Sequence, residues 1–65
     1  MRIYGDDQAM YVDLDKFKVA YIFDQKIIKL IAPDGREVKR EGVSEDFSII
    51  EFKEKVKQYQ KMIEP

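Results

Sequence analysis

Four carboxylates and two serines are the residues of this chain whose types and spacing could do chemistry. Asp6 and Asp7 are adjacent, and Asp13 and Asp15 lie on one side of a strand-like stretch, so either pair offers oxygens to a hard cation. Two carboxylates alone seldom make a specific site, and the surrounding spacing is not that of an EF-hand loop. Turn formation and a solvated strand face account for all four. Ser44 and Ser48 would need a base to act as nucleophiles, yet the chain has no His, and both stand where a helix begins. Hydrolysis by paired acids needs a cleft between them, and a two-layer domain of 65 residues has little room for one. The isolated glycines form no phosphate loop. The expectation is a non-enzymatic protein with no catalytic, cofactor-binding or metal-binding residues.

Composition narrows the remaining classes. A chain of 65 residues is one domain, with thin stability, and without Cys it has no disulfide to staple it. Charged residues are 38% of the chain but the formal net charge is only -1, which argues against a polybasic tail or an acidic nucleic-acid mimic. The apolar share of 45% is that of a folded domain rather than a disordered one. No apolar run has the length of a membrane span, and the stretch MRIYGDDQAM has no signal-peptide core. A cytoplasmic protein is therefore expected, with no membrane partner.

Hydrophobic periodicity sets the elements that carry these residues. Ile3 and Tyr4 suggest a short edge strand before the Gly5-Asp6-Asp7 turn signal. Met10, Val12 and Leu14 alternate with Tyr11, Asp13 and Asp15 as a half-buried strand does. Phe17, Val19, Tyr21 and Phe23 share the face opposite Lys16, Lys18, Ala20 and Ile22. Asp24-Gln25 reads as a two-residue turn, followed by a strand over 26–32. Pro33-Asp34-Gly35 then reads as a type I turn with a bulge, leading into a strand over 36–40. Both turns place Phe17, Val19, Tyr21, Phe23, Ile28, Leu30 and Val38 on one face, and a slip of one residue would scramble that set.

From Ser48 onward the period changes. Ile49, Phe52, Val56, Tyr59 and Ile63 form a helical stripe, Ser48 is the N-cap, and Ser44 is its rival. The fold class expected is α+β: an antiparallel meander of three to four strands with one C-terminal helix packed on one face. The expected core is Val12, Leu14, Phe17, Val19, Tyr21, Ile28, Leu30, Val38, Phe52, Val56 and Tyr59.

One helix cannot cover both faces of a sheet. The face left over carries Ala20, Ile22, Ile27 and Ile31, ringed by Lys16, Lys18, Lys29 and Lys39, with Lys39 expected opposite Lys29. An apolar centre with a polar rim is how interfaces are built. The expected partner-binding residues are Ile22, Ile27, Ile31, Lys18, Lys29 and Lys39, and the expected partner is another protein or a second copy of the chain. An open sheet edge is another route to the same end. Nucleic acid is less expected, because this face shows no base-stacking aromatic and the chain is not basic. A structural homo-oligomer subunit is the third possibility. Lys53, Lys57 and Lys61 make a basic helical stripe that reads as a solvated face.

The whole layout, short strands in a meander and one C-terminal helix, resembles compact phage and mobile-element proteins such as the anti-CRISPR inhibitors. Size and layout carry the resemblance, not a motif, so it assigns no residues. It implies stoichiometric inhibition of a host defence protein by covering a working surface, in the host cytoplasm.

Overall fold

The computed structural model describes residues 2–63, and in it the strands neighbour one another in space in the order of the chain. β1 spans Ile3–Gly5, β2 Ala9–Leu14, β3 Phe17–Ile22, β4 Ile27–Ile31 and β5 Glu37–Gly42; the helix α1 spans Ile49–Ile63. The protein is thus an α+β meander with a C-terminal helix, as the periodicity predicts, but with five strands among the described residues rather than three or four. The edge strand read at Ile3 and Tyr4 is β1, pairing Ile3 with Val12 and Tyr4 with Tyr11.

Each connection follows from its own turn chemistry. Between β1 and β2, Asp6 Oδ1 accepts the backbone N–H of Gln8 at 2.8 Å and of Ala9 at 3.1 Å, so this carboxylate is occupied in building the turn. Gly5 precedes it at a φ of 157°; a Cβ here would strike the Ala9 carbonyl oxygen and come within 2.8 Å of Met10 Cα. Gly5→Ala is expected to destabilise the protein by about 1–3 kcal/mol, the scale of a strained backbone site. Hydrogen exchange should show protection lost across the β1–β2 ladder and kept across β3–β4. Asp15, in the β2–β3 turn, carries a φ of 58°, which Asp tolerates better than most residues.

The β3–β4 turn is longer than expected. A two-residue turn at Asp24-Gln25 would want positive φ at Asp24, and in the type I′ form at Gln25 as well. Instead the chain turns over 23–26, Lys26 N–H donates to the Ile22 carbonyl at 3.0 Å, and only Lys26 takes a positive φ, 53°. The pairing beyond it is the expected one, Tyr21 with Ile28 and Val19 with Leu30. A longer loop leaves the faces unchanged here because the ladder starts one pair later, at Ile22 and Ile27, in the same register.

The β4–β5 turn has the expected loop but a different exit. Ala32 N–H donates to the Arg36 carbonyl at 2.8 Å, and Gly35 takes a φ of 88°. A bulge then intervenes: Ile31 pairs with Glu37 but Leu30 pairs with Lys39, leaving Val38 as the extra residue. Val38, expected in the core, is 49% exposed. Lys39, expected opposite Lys29 on the open face, stands on the helix side with its Nζ 3.8 Å from Glu41, and Arg40 takes the place opposite Lys29. The stretch Glu37–Gly42 has charged residues on both faces, so no apolar alternation holds it in the unbulged register.

The core lies between α1 and one sheet face: Val12, Val19, Tyr21, Ile28 and Leu30 below, Phe52, Val56 and Tyr59 above. Leu14 and Phe17 pack at its margin, half-buried. Tyr21 is central, its ring 4.9 Å from that of Phe47 and 6.4 Å from that of Phe52 between centroids. Ser48 caps the helix, its Oγ accepting Glu51 N–H at 3.3 Å, so Ser48 rather than Ser44 is the start. Ile49 is half exposed, and the buried stripe begins at Phe52.

Candidate binding surface

Strand alternation builds the uncovered face. With Val19, Tyr21, Ile28 and Leu30 turned to the helix, the register turns Lys18, Ala20 and Ile22 of β3, and Ile27, Lys29 and Ile31 of β4, to the other side. β2 adds Ala9 opposite Ile22 and Tyr11 opposite Ala20. Ala9 and Ala20 are 2% and 1% exposed although no helix lies over them, because small side chains sink between the taller neighbours in a pleated sheet. Ile22, Ile27 and Ile31 are half-buried. The result is an apolar lane running obliquely across the face.

Polar groups flank the lane on both sides, and most are tied to each other. On the β4–β5 side, Arg40 grips Glu37 in a two-pronged pair, Nε to Oε1 at 2.7 Å and a second guanidinium N–H to Oε2 at 3.0 Å, with Lys29 Nζ 3.7 Å from the same carboxylate. The guanidinium holds the Glu37 carboxyl below its ordinary pKa. On the β1–β2 side, Tyr4 O–H donates to Asp13 Oδ1 at 2.7 Å, which raises the Tyr4 phenol above its usual pKa. The Tyr4 and Tyr11 rings stand 5.6 Å apart, and Lys18 Nζ lies 5.9 Å and 5.4 Å from their centroids, a cation–π arrangement.

Of the six residues expected to bind a partner, the structure brings five to this face: Ile22, Ile27, Ile31, Lys18 and Lys29. Lys39 is on the other side. Sequence reasoning missed Tyr4, Tyr11 and Arg40. Tyr4 and Tyr11 correct the expectation that the face lacks aromatics; carrying the Leu14–Phe17 pairing three steps back, to Tyr11 opposite Ala20, would have found Tyr11. Lys16 stands in the β2–β3 turn, at the end of the face.

That end holds a shallow recess of about 440 Å³, walled by Tyr11, Lys16 and Lys18 and floored by Ile31, Ala32 and Pro33. A second hollow of about 320 Å³ lies on the helix side, between Val43 and Phe47 of the β5–α1 loop and Glu51, Lys55 and Gln58 of α1. Among the described residues no three acidic side chains gather to hold a metal ion, and no helix is long and apolar enough to cross a membrane.

No family model, curated protein or solved structure matches the chain.

Proposed function

We propose that the protein is a non-enzymatic binding module that acts by stoichiometric contact with another protein, through the open face centred on Ile22, Ile27 and Ile31. The observation that carries this reading is a five-stranded sheet with a helix on one side only, whose bare side has an apolar lane between mutually paired polar flanks. Paired rim charges are already oriented, so a partner meets a surface that loses little side-chain freedom on binding. The cytoplasm is the proposed compartment, and covering a host protein's working surface, the mode implied by the layout resemblance, is the proposed manner of action.

A heterologous partner is favoured over a second copy by area. Five strands spaced about 4.8 Å apart, with about 17 Å of strand length, give a flat face of roughly 400 Å². A standard interface takes about 800 Å² from each partner, so two flat faces pressed together would hold weakly, whereas a concave partner that also wraps the surrounding turns reaches that area. The edges are poor alternatives: β1 has three residues, and β5 is bulged and carries Glu37, Lys39, Arg40 and Glu41.

The test is the double substitution Ile22→Asp with Ile27→Asp. Both side chains are half-buried away from the core, so the circular dichroism spectrum should survive while affinity capture of a partner from native lysate is lost. Capture that persists in the folded double variant would place the interface elsewhere. A solution mass at a multiple of 7.7 kDa that the same variant reduces to the monomer would instead assign the face to self-association.

A further inference from the structure

We infer that the recess at the end of the open face receives an acidic side chain of the partner protein, a Glu or Asp carried beside an apolar or aromatic residue. This rests on the reading of the open face as a partner surface and specifies the partner's chemistry. Ile31 and Lys18 belong both to the lane and to the recess, so the two are one continuous surface.

Charge complementarity selects the occupant. Lys16 and Lys18 are the charged side chains of the recess wall, and among the described residues neither forms a salt bridge, whereas Lys29 and Arg40, the other cations of the open face, are both held by Glu37. Lys18 is held in place by the two tyrosine rings, so its ammonium is positioned before any ligand arrives. Tyr11, Ile31 and Pro33 offer an apolar bed to whatever the anion is attached to. At about 440 Å³ the recess suits one or two side chains.

The same charges disfavour a nucleic-acid strand. Asp13 is the cross-strand neighbour of Lys18, and Asp15 and Asp34 sit in the two turns at this end. At the opposite end the β1–β2, β3–β4 and β5–α1 connections carry Asp6, Asp7, Asp24, Glu45 and Asp46 against Lys26. A long polyanion tracking across the face would run into these carboxylates, whereas a compact anion confined to the recess meets a lining that holds two lysines and no acid.

Titration of the ¹⁵N-labelled protein with the blocked peptide Ac-Glu-Phe-Glu-Glu-NH2 tests this by amide shifts. Shifts should concentrate at Tyr11, Lys18, Ile31 and Gly35, with millimolar affinity that weakens as salt is added. Lys16→Glu, at an exposed turn position, and Lys18→Gln, which places no acid opposite Asp13, should each weaken binding at least fivefold. Unmoved recess amides, or native affinity retained in both variants, would overturn the inference. A stronger response to the oligonucleotide (dT)8 than to the peptide would also overturn it and give the recess to single-stranded nucleic acid. If the recess fails while Ile22→Asp with Ile27→Asp still abolishes capture, only the partner's chemistry is wrong; if capture survives that double variant, the open-face reading itself fails.

Discussion

Phe52→Ala is expected to unfold the protein at 25 °C. The ring is fully buried on α1 and packs against Tyr21 of the central strand. Truncating a buried Phe costs about 3–5 kcal/mol in lost transfer energy and residual cavity. A single core in a chain of under about 70 residues supplies only about 3–5 kcal/mol in total. The two figures are equal in size, so one substitution is enough to bring the folded population to parity or below. Loss of the cooperative thermal transition is the readout. Phe52→Leu, which restores much of the volume, should recover the transition at a lower midpoint; an unchanged midpoint in Phe52→Ala would mean that α1 contributes little to the core.

Glu41→Ala is expected to destabilise by about 1–3 kcal/mol, the range for leaving a buried donor without an acceptor. The donor is Tyr59 O–H, on a residue 1% exposed, which gives its hydrogen to Glu41 Oε2 at 2.6 Å. Lys55 Nζ lies 3.1 Å from the same oxygen and Lys39 Nζ 3.8 Å from Oε1, but these part-exposed pairs add only about 0–1 kcal/mol. Glu41→Gln retains an acceptor and should cost less. Tyr59→Phe removes the donor and should partly relieve the Glu41→Ala defect in the double variant.

The same bond gives a pH signature at each end of the scale. The Tyr59 hydrogen bond and then Lys55 hold the Glu41 carboxyl below its ordinary value of 4.5. A lowered folded pKa means stability that is complete above 4.5 and is lost as pH falls through the folded value. Melting midpoints taken between pH 7 and pH 3 should therefore fall more steeply in the native protein than in Glu41→Gln. Burial, then the Glu41 carboxylate, raises the Tyr59 phenol above 10.0. That contribution is complete below pH 10 and is lost as pH rises beyond it. Equal acid sensitivity in both proteins would show that other carboxylates dominate.

Much of this architecture was legible in the residues because the burial pattern and the turns agree. Val19, Tyr21, Ile28 and Leu30 alternate strictly, and Ser48 followed by Glu51 marks the helix start without tertiary help. The misplacements occur where that agreement lapses. Val38 leaves the core and Lys39 takes its place opposite Leu30 because a bulge adds one residue, and Glu37–Gly42 has no apolar contrast to resist it. Ile49 has the helical spacing of a core residue, yet spacing does not reveal that the first turn leaves it half exposed. The apolar lane could be read from two turns, but its flanks could not. The Glu37–Arg40 pair depends on the bulge, and the Tyr4–Tyr11–Lys18 cluster depends on a three-residue strand that sequence marks only faintly.

The unbroken spatial order of β1 to β5 also bears on how fast this fold can assemble. Each strand finds its partner across a connection of two to five residues. Closing loops of about ten residues takes only 10–100 ns, so every ladder begins with a local search. Chains dominated by such near-neighbour pairing fold orders of magnitude faster than sandwiches of similar size, in which partners are far apart in sequence. The slower encounter is that of α1 with β3, since the helix must return over strands formed before it and completes the core only on docking. Until then both faces of the nascent sheet are equally bare. Afterwards one is sealed and the other, with Ile22 and Ile27, is the face that stays in contact with solvent.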